Sequence, residues 1–256
     1  MSASVLGVVA GSASAGAGSG EEFGGFAVGF VDEDGVERRV SLDGGASEPF
    51  ERGRPVRSFP SFRGQRNWPG MWWSATTREH VGYESWLERD HAMLLDFDSE
   101  VVAYAPQPFW LFFTDAGQRR RHAPDFFARR RDGSALVIDC RPDNRIKPRD
   151  SRAFEATARA CVSVGWEYQR LGVLDPVLAG NVRWLSGYRH PRFADPQLVA
   201  RLRAVFAVPG PLMGGAELAG PVLSVLPVLF HLMWHQQLET QMDKPLGEAS
   251  IVRAVG

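Results

Sequence analysis

The seven residues Ala135-Leu-Val-Ile-Asp-Cys-Arg141 constrain this chain of 256 residues more than any other stretch. Side chains alternate along a strand, so Val137, Asp139 and Arg141 point one way and Leu136, Ile138 and Cys140 the other. A strand this apolar belongs in a buried position. Burying a lone carboxylate there costs several kcal/mol unless it is paired or holds a metal. Just upstream, His122-Ala-Pro-Asp125-Phe-Phe places a second acid directly after a proline. Two carboxylates and a guanidinium, Asp125, Asp139 and Arg141, are therefore expected to converge.

The surrounding pattern gives these residues a setting. A hairpin is expected from Phe26–Val31 and Val36–Leu42, turning at Asp32-Glu-Asp-Gly35. Residues 46–70 are rich in Pro, Gly and Arg and read as irregular. Thr77 to Asp96 reads as a helix, with Glu84, Leu87, His91, Leu94 and Leu95 on one stripe. That phase puts Glu84 in an inward-facing row, an unusual place for a carboxylate. Strands follow at 101–105, 109–113, 124–130 and 135–141, then a helix at 152–164 and a strand at 168–171. The order predicts a mixed α/β sheet flanked by helices.

A composition shift near Asp175 predicts a boundary: a folded unit over 23–175 and a small, mainly helical region over 176–256. Helices are expected at 177–188 and 196–206, a Gly/Pro-rich break at 209–221, and one apolar helix from Val222 to Met242. His231, Trp234 and His235 read as part of a helical core there, with a DNA-reading role as the alternative. The first 22 residues, rich in Ala, Gly and Ser, read as a disordered leader.

The net charge of −1 excludes a globally basic nucleic-acid binder. The charges are uneven, however. Only two of the 29 basic residues are lysines, and arginine runs at Arg119–Arg121 and Arg129–Arg131 flank the acidic motif. Arginine pairs with phosphate in a bidentate manner, so such runs serve equally as a DNA rim or as solvated turns. His122 reads as a structural or DNA-facing donor, because hard cations prefer oxygen. His91 reads as a core histidine, and Trp72, Trp73, Trp86, Trp110 and Trp166 as packing residues. Two cysteines make no disulfide framework, which predicts a reducing cytoplasm. No run of about 18 apolar residues predicts a membrane span.

Hydrolysis of a phosphodiester needs a divalent cation that neutralises the phosphate and generates hydroxide near neutral pH. Mg2+, with Mn2+ able to substitute, takes oxygen ligands and keeps several waters. Glu84, Asp125 and Asp139 can supply them, with Asp125 central. Arg141 would stabilise charge as it builds on the phosphate.

Glu84, Pro124-Asp125 and Asp139-Cys140-Arg141 together resemble the core of the PD-(D/E)xK nucleases. More narrowly, the chain resembles the TnsA-like endonuclease subunits of heteromeric, Tn7-like transposases. The carrying segments are Phe59-Pro-Ser-Phe62, Trp72-Trp-Ser-Ala-Thr-Thr77, Tyr83-Glu-Ser-Trp-Leu-Glu88 and Gln107-Pro-Phe109. They continue through His122-Ala-Pro-Asp-Phe126, Phe154-Glu-Ala-Thr157 and Gly165-Trp166, and more weakly through Leu226 to Trp234. The resemblance implies a restriction-endonuclease-like fold and cleavage of one strand at the ends of a transposon in double-stranded DNA. It also implies a DDE-type transposase that cuts the other strand and an AAA+ ATPase regulator met through the C-terminal region. Arg119, Arg120, Arg121 and His122 would touch the DNA.

One position departs from the superfamily pattern: Arg141 stands where lysine is usual. Arginine stays protonated and cannot accept a proton. Lys147, on a loop, is a poor substitute. A catalytically silent nuclease fold that binds DNA ends and transposase partners is therefore the first alternative. A stand-alone repair or restriction nuclease is the second.

Overall fold

The computed structural model describes residues 25–58 and 68–255. The expected leader and the Phe59–Phe62 segment lie outside them. The first elements are the predicted hairpin, β1 (Ala27–Val31) and β2 (Glu37–Ser41). Asp32 Oδ1 accepts the Val36 N–H at 2.9 Å to close the turn, and Gly35 takes a left-handed φ of 85°. A short helix α1 (Leu42–Gly45) follows, then β3 (Gly70–Trp73) and β4 (His80–Tyr83), paired antiparallel, and α2 (Trp86–Phe97).

Helix α2 begins nine residues later than its periodicity predicts. Ser85 is its N-cap: the hydroxyl accepts the Glu88 N–H at 3.2 Å, and the Glu88 carboxylate accepts the Glu84 N–H at 2.7 Å. These two bonds fix the start, and β4 takes up the residues before it. Glu84 is thus in the junction and not on a helical stripe. At the other end of α2, buried Asp96 accepts from Trp72 Nε1, Ser74 Oγ and the N–H groups of Ala75 and Thr76 at 2.8–3.0 Å. One carboxylate so ties the β3–β4 connection to the helix.

The chain continues through β5 (Val101–Pro106), β6 (Trp110–Asp115), β7 (Gln118–His122), β8 (Phe126–Arg130) and β9 (Ala135–Cys140). Helix α3 (Pro148–Ser163) then crosses back to β10 (Glu167–Leu171), turning at Gly165 with φ 73°. A mixed sheet runs in the order β10-β9-β8-β5, with β10 parallel to β9 and the other neighbours antiparallel. A second, antiparallel sheet has the order β2-β1-β6-β7.

Strand β9 is buried on both faces, and its alternation sorts two cores. Ala135 and Val137 join Phe50, Phe109, Phe127 and Trp166 under α3. Leu136, Ile138 and Cys140 join Tyr104, Phe126 and Leu95 under α2. Phe50 meets four rings at centroid distances of 4.9–5.7 Å, edge-on in each case. Burying each such ring stabilises the fold by about 2 kcal/mol or more.

Beyond residue 175 come α4 (Pro176–Ser186), α5 (Pro196–Val205), β11 (Gly210–Pro211), α6 (Leu212–Ala219) and α7 (Val222–Trp234). Two short strands, β12 (Leu238–Glu239) and β13 (Ile251–Ala254), complete the sheet order β11-β13-β12. Asp175 and Asp195 each cap a helix that opens on proline, as the Asp-Pro pairs favour. The apolar stretch predicted as one helix to Met242 stops at Trp234, where Gln236 turns with φ 51°. The Gly/Pro-rich break carries α6.

These helices share a core with earlier elements: Trp72 of β3 and Met93 of α2 pack among Val182, Leu229 and Trp234. Residue 175 marks where the chain leaves the mixed sheet, and the apolar packing continues across it. No single helix among the described residues is long and apolar enough to cross a membrane; α6 and α7 pass only as a pair bent by 120°.

Candidate functional site

A cleft of about 210 Å³ opens where β9 ends and β8 begins, bordered by Arg57, His122, Asp125, Asp139, Cys140 and Arg141. The predicted strand acids and Arg141 do meet. Asp125 is held by its own backbone: its N–H donates to Ile138 O and its carbonyl accepts the Gln107 N–H, both at 2.9 Å. Its Oδ2 accepts the Cys140 N–H at 2.6 Å. Asp139 is buried, and both its oxygens are used. Oδ1 meets His122 Nε2 at 2.8 Å, and Oδ2 accepts the Tyr168 hydroxyl at 2.9 Å. These bonds answer the cost of a carboxylate inside an apolar strand. Burial and the Asp139 charge together raise the Tyr168 phenol well above its ordinary range, which keeps it a donor.

Arg141 does not neutralise Asp139. It lies just past β9, and its guanidinium faces Asp150 of α3 at 3.9 Å while its carbonyl accepts from Arg170. Lys147 stands at the N-cap of α3 and is not part of the cleft wall.

The third acid differs from the one expected. Glu84 accepts from Arg57 Nη2 at 3.0 Å. The acid that acts on Asp125 is Glu88, four residues on and inside the first turn of α2. Burial, then the charges of Glu88 and Asp139, push the Asp125 carboxyl well above the usual carboxylate range. The Cys140 N–H and the Arg57 guanidinium oppose that push. Glu88 is itself raised, chiefly by burial. The Ser85-x-x-Glu88 cap signature was visible in the sequence and would have fixed the helix phase. Glu88 and Asp139, close enough to disfavour the ionisation of Asp125, supply with it the oxygen donors that a hard divalent cation prefers. Among the described residues, no three His, Cys, Asp or Glu side chains yet close into a metal cage.

The arginine runs part company. Arg119, Arg120 and Arg121 lie on β7, a strand not among those expected; Arg121 lines the cleft and stacks over Trp110 at 4.2 Å. The run Arg129–Arg131 is consumed by structure: Arg129 pairs with Glu51 at 3.2 Å, Arg130 with Glu167 at 2.5 Å, and Arg131 donates to Ser99 O. His122 closes β7 with its ring edge-on to Phe154 at 5.9 Å. His91 Nε2 donates to Gly172 O within the core, as expected. His231 and His235 contact each other and reach the carbonyls of Tyr188 and Arg189, fastening α7 to the end of α4. Comparison of the sequence with known protein families and with curated proteins returns no match.

Proposed function

We propose that this chain is a Mg2+-dependent DNA endonuclease subunit of the TnsA-like kind, built on a PD-(D/E)xK core and working in the cytoplasm. One observation carries the reading: the Asp125 carboxyl is pushed upward by Glu88 and Asp139 at the floor of a cleft rimmed by Arg57, Arg121 and Arg141. An acidic floor beneath a basic rim suits a cation below and a phosphate above. The order β10-β9-β8-β5 between α2 and α3 supports the core assignment.

Asp125 and Asp139, with Glu88 in place of Glu84, would hold the cation. When bound, Mg2+ neutralises the phosphate and lowers the pKa of a coordinated water. The Cys140 N–H aims Asp125, and His122 with Tyr168 orients Asp139, as outer hydrogen bonds orient metal ligands elsewhere. Arg141 and Arg121 bind and steady the phosphate as charge develops on it. A DDE-type transposase would cut the opposite strand at the transposon end, and an AAA+ ATPase would dock on the C-terminal helices.

A second reading, a silent nuclease fold that binds DNA ends, has its own support. Both oxygens of Asp139 already carry hydrogen bonds, and Arg141 cannot accept a proton. The experiment is nicking of transposon-end DNA with Mg2+ or Mn2+, with and without the partner transposase. Wild type should nick and Asp125→Ala should not. Equal cutting by both sinks the catalytic assignment, and cutting by neither favours the silent fold. Efficient cutting without any partner points to a stand-alone nuclease.

A further inference from the structure

A second cavity, of about 220 Å³, adjoins the cleft and shares Arg121 and His122 with it. Its remaining charged walls are Asp115 and Arg120 from β6 and β7, and Arg149, Asp150 and Arg152 from the start of α3. The arginines are not neutralised one for one. Asp115 faces Arg152 at 3.1 Å and Arg120 at 3.5 Å, so one carboxylate serves two guanidiniums. Asp150 likewise faces Arg149 at 3.4 Å and Arg141 of the cleft at 3.9 Å. Four arginines against two aspartates leave the cavity two positive charges in surplus, in a chain whose net charge is −1.

Arg149 and Arg152 meet their aspartates through Nε, and among the described residues no other bond or ion pair holds either guanidinium. Their side chains are 76% and 49% exposed, so these pairs contribute little to folding. The aspartates instead preset the guanidiniums, leaving Nη hydrogens for a ligand. Paired N–H groups in a rigid fork match phosphate oxygens. In a duplex, one strand presents a phosphate about every 3.4 Å of axis. A strand seated in the cleft therefore offers its next phosphates to a cavity that shares the cleft wall.

We propose that this second cavity is a phosphate subsite for the DNA strand running past the cleavage position, with Arg149 and Arg152 as its main contacts. The identity of the polyanion rests on the nuclease reading, but the test measures binding and not cutting.

Wild type, Arg149→Ala/Arg152→Ala and Arg149→Lys/Arg152→Lys are titrated into a labelled duplex in EDTA and followed by fluorescence anisotropy. Between about 50 and 200 mM KCl, the double alanine variant should lower the slope of log K against log salt by roughly 2, near 0.9 per lost phosphate contact. It should also bind at least about tenfold more weakly at the low-salt end. The lysine pair, which keeps the charge, should retain most of the slope and show that lost folding is not the cause. Arg203→Ala, on the exposed side of α5, should change nothing. An unchanged slope in the alanine pair overturns the subsite, as does an equal loss in Arg203→Ala or no duplex binding by wild type. DNA that binds with the expected slope difference yet is never cut with Mg2+ supports the subsite and removes the nuclease reading.

Discussion

Replacing Asp125 by Asn should stabilise the metal-free protein at neutral pH. The amide has the same shape, and its oxygen still accepts the Cys140 N–H that now lies 2.6 Å away. What disappears is a negative charge whose ionisation is opposed by burial, by Glu88 and by Asp139. A like-charge contact at an effective dielectric near 20 costs about 1–3 kcal/mol. The neutral amide gives back roughly 1 kcal/mol by accepting a weaker bond than the carboxylate. A net gain of about 1–2 kcal/mol remains, which for a chain of this size moves Tm up by roughly 3–6 °C.

The pH sign follows from the raised carboxyl. The folded state keeps the Asp125 proton to a higher pH than the unfolded chain, whose value is near 3.8. That contribution is fully present below the unfolded value and is lost as pH rises through the folded one. The Asn variant has no such loss, so the two stability curves approach each other near pH 4 and separate above it. Mg2+ reverses the ranking: it raises the wild-type Tm by mass action and leaves Asp125→Asn unmoved. Thermal melts from about pH 4 to pH 8, in EDTA and in millimolar Mg2+, read both effects. An Asn variant clearly less stable than wild type in EDTA at pH 7, or equally stabilised by Mg2+, would refute the reasoning.

Glu88→Gln and Glu84→Gln separate the two candidate third acids. The first should abolish most of the Mg2+-dependent rise in Tm, whereas the second, which touches a carboxylate already paired with Arg57, should keep it. The opposite ranking restores Glu84 to the site. Asp96→Ala strands four donors around a buried position and should cost about 3–5 kcal/mol in urea unfolding; a loss under 1 kcal/mol contradicts the hub role. Phe50→Ala empties the meeting point of four rings and should cost about 3–5 kcal/mol, with Phe50→Leu well below that in the same assay.

The residues of β9 announced their own position. Their apolar run and period of two required a strand covered on both faces, and a carboxylate inside that run required partners. The hairpin, β5, β6, β8, β10, α3, α4 and α5 were legible for the same reason, since each carries a local period or a local cap. Glu84 was placed on α2, and Glu88 missed, because the periodicity runs on backwards over β4. The Ser85 cap that opens the helix is a local signal, and it outweighs a stripe whose first member, Glu84, lies before the helix.

Other features had no local signal at all. That His122 and Tyr168 would be the partners of Asp139, and Asp150 the partner of Arg141, depends on β7, β10 and α3 arriving at the same end of β9. The same holds for the arginine runs, which read alike in the sequence. One met carboxylates across neighbouring elements and became structural, while from the other Arg121 lines the cleft. Two acids beside a buried strand follow from the chain's local pattern, because burial and alternation are properties of a few consecutive residues. Which side chains answer those acids, and which arginines line the cleft, follows from the fold, because charge pairing depends on distances between residues far apart in the chain.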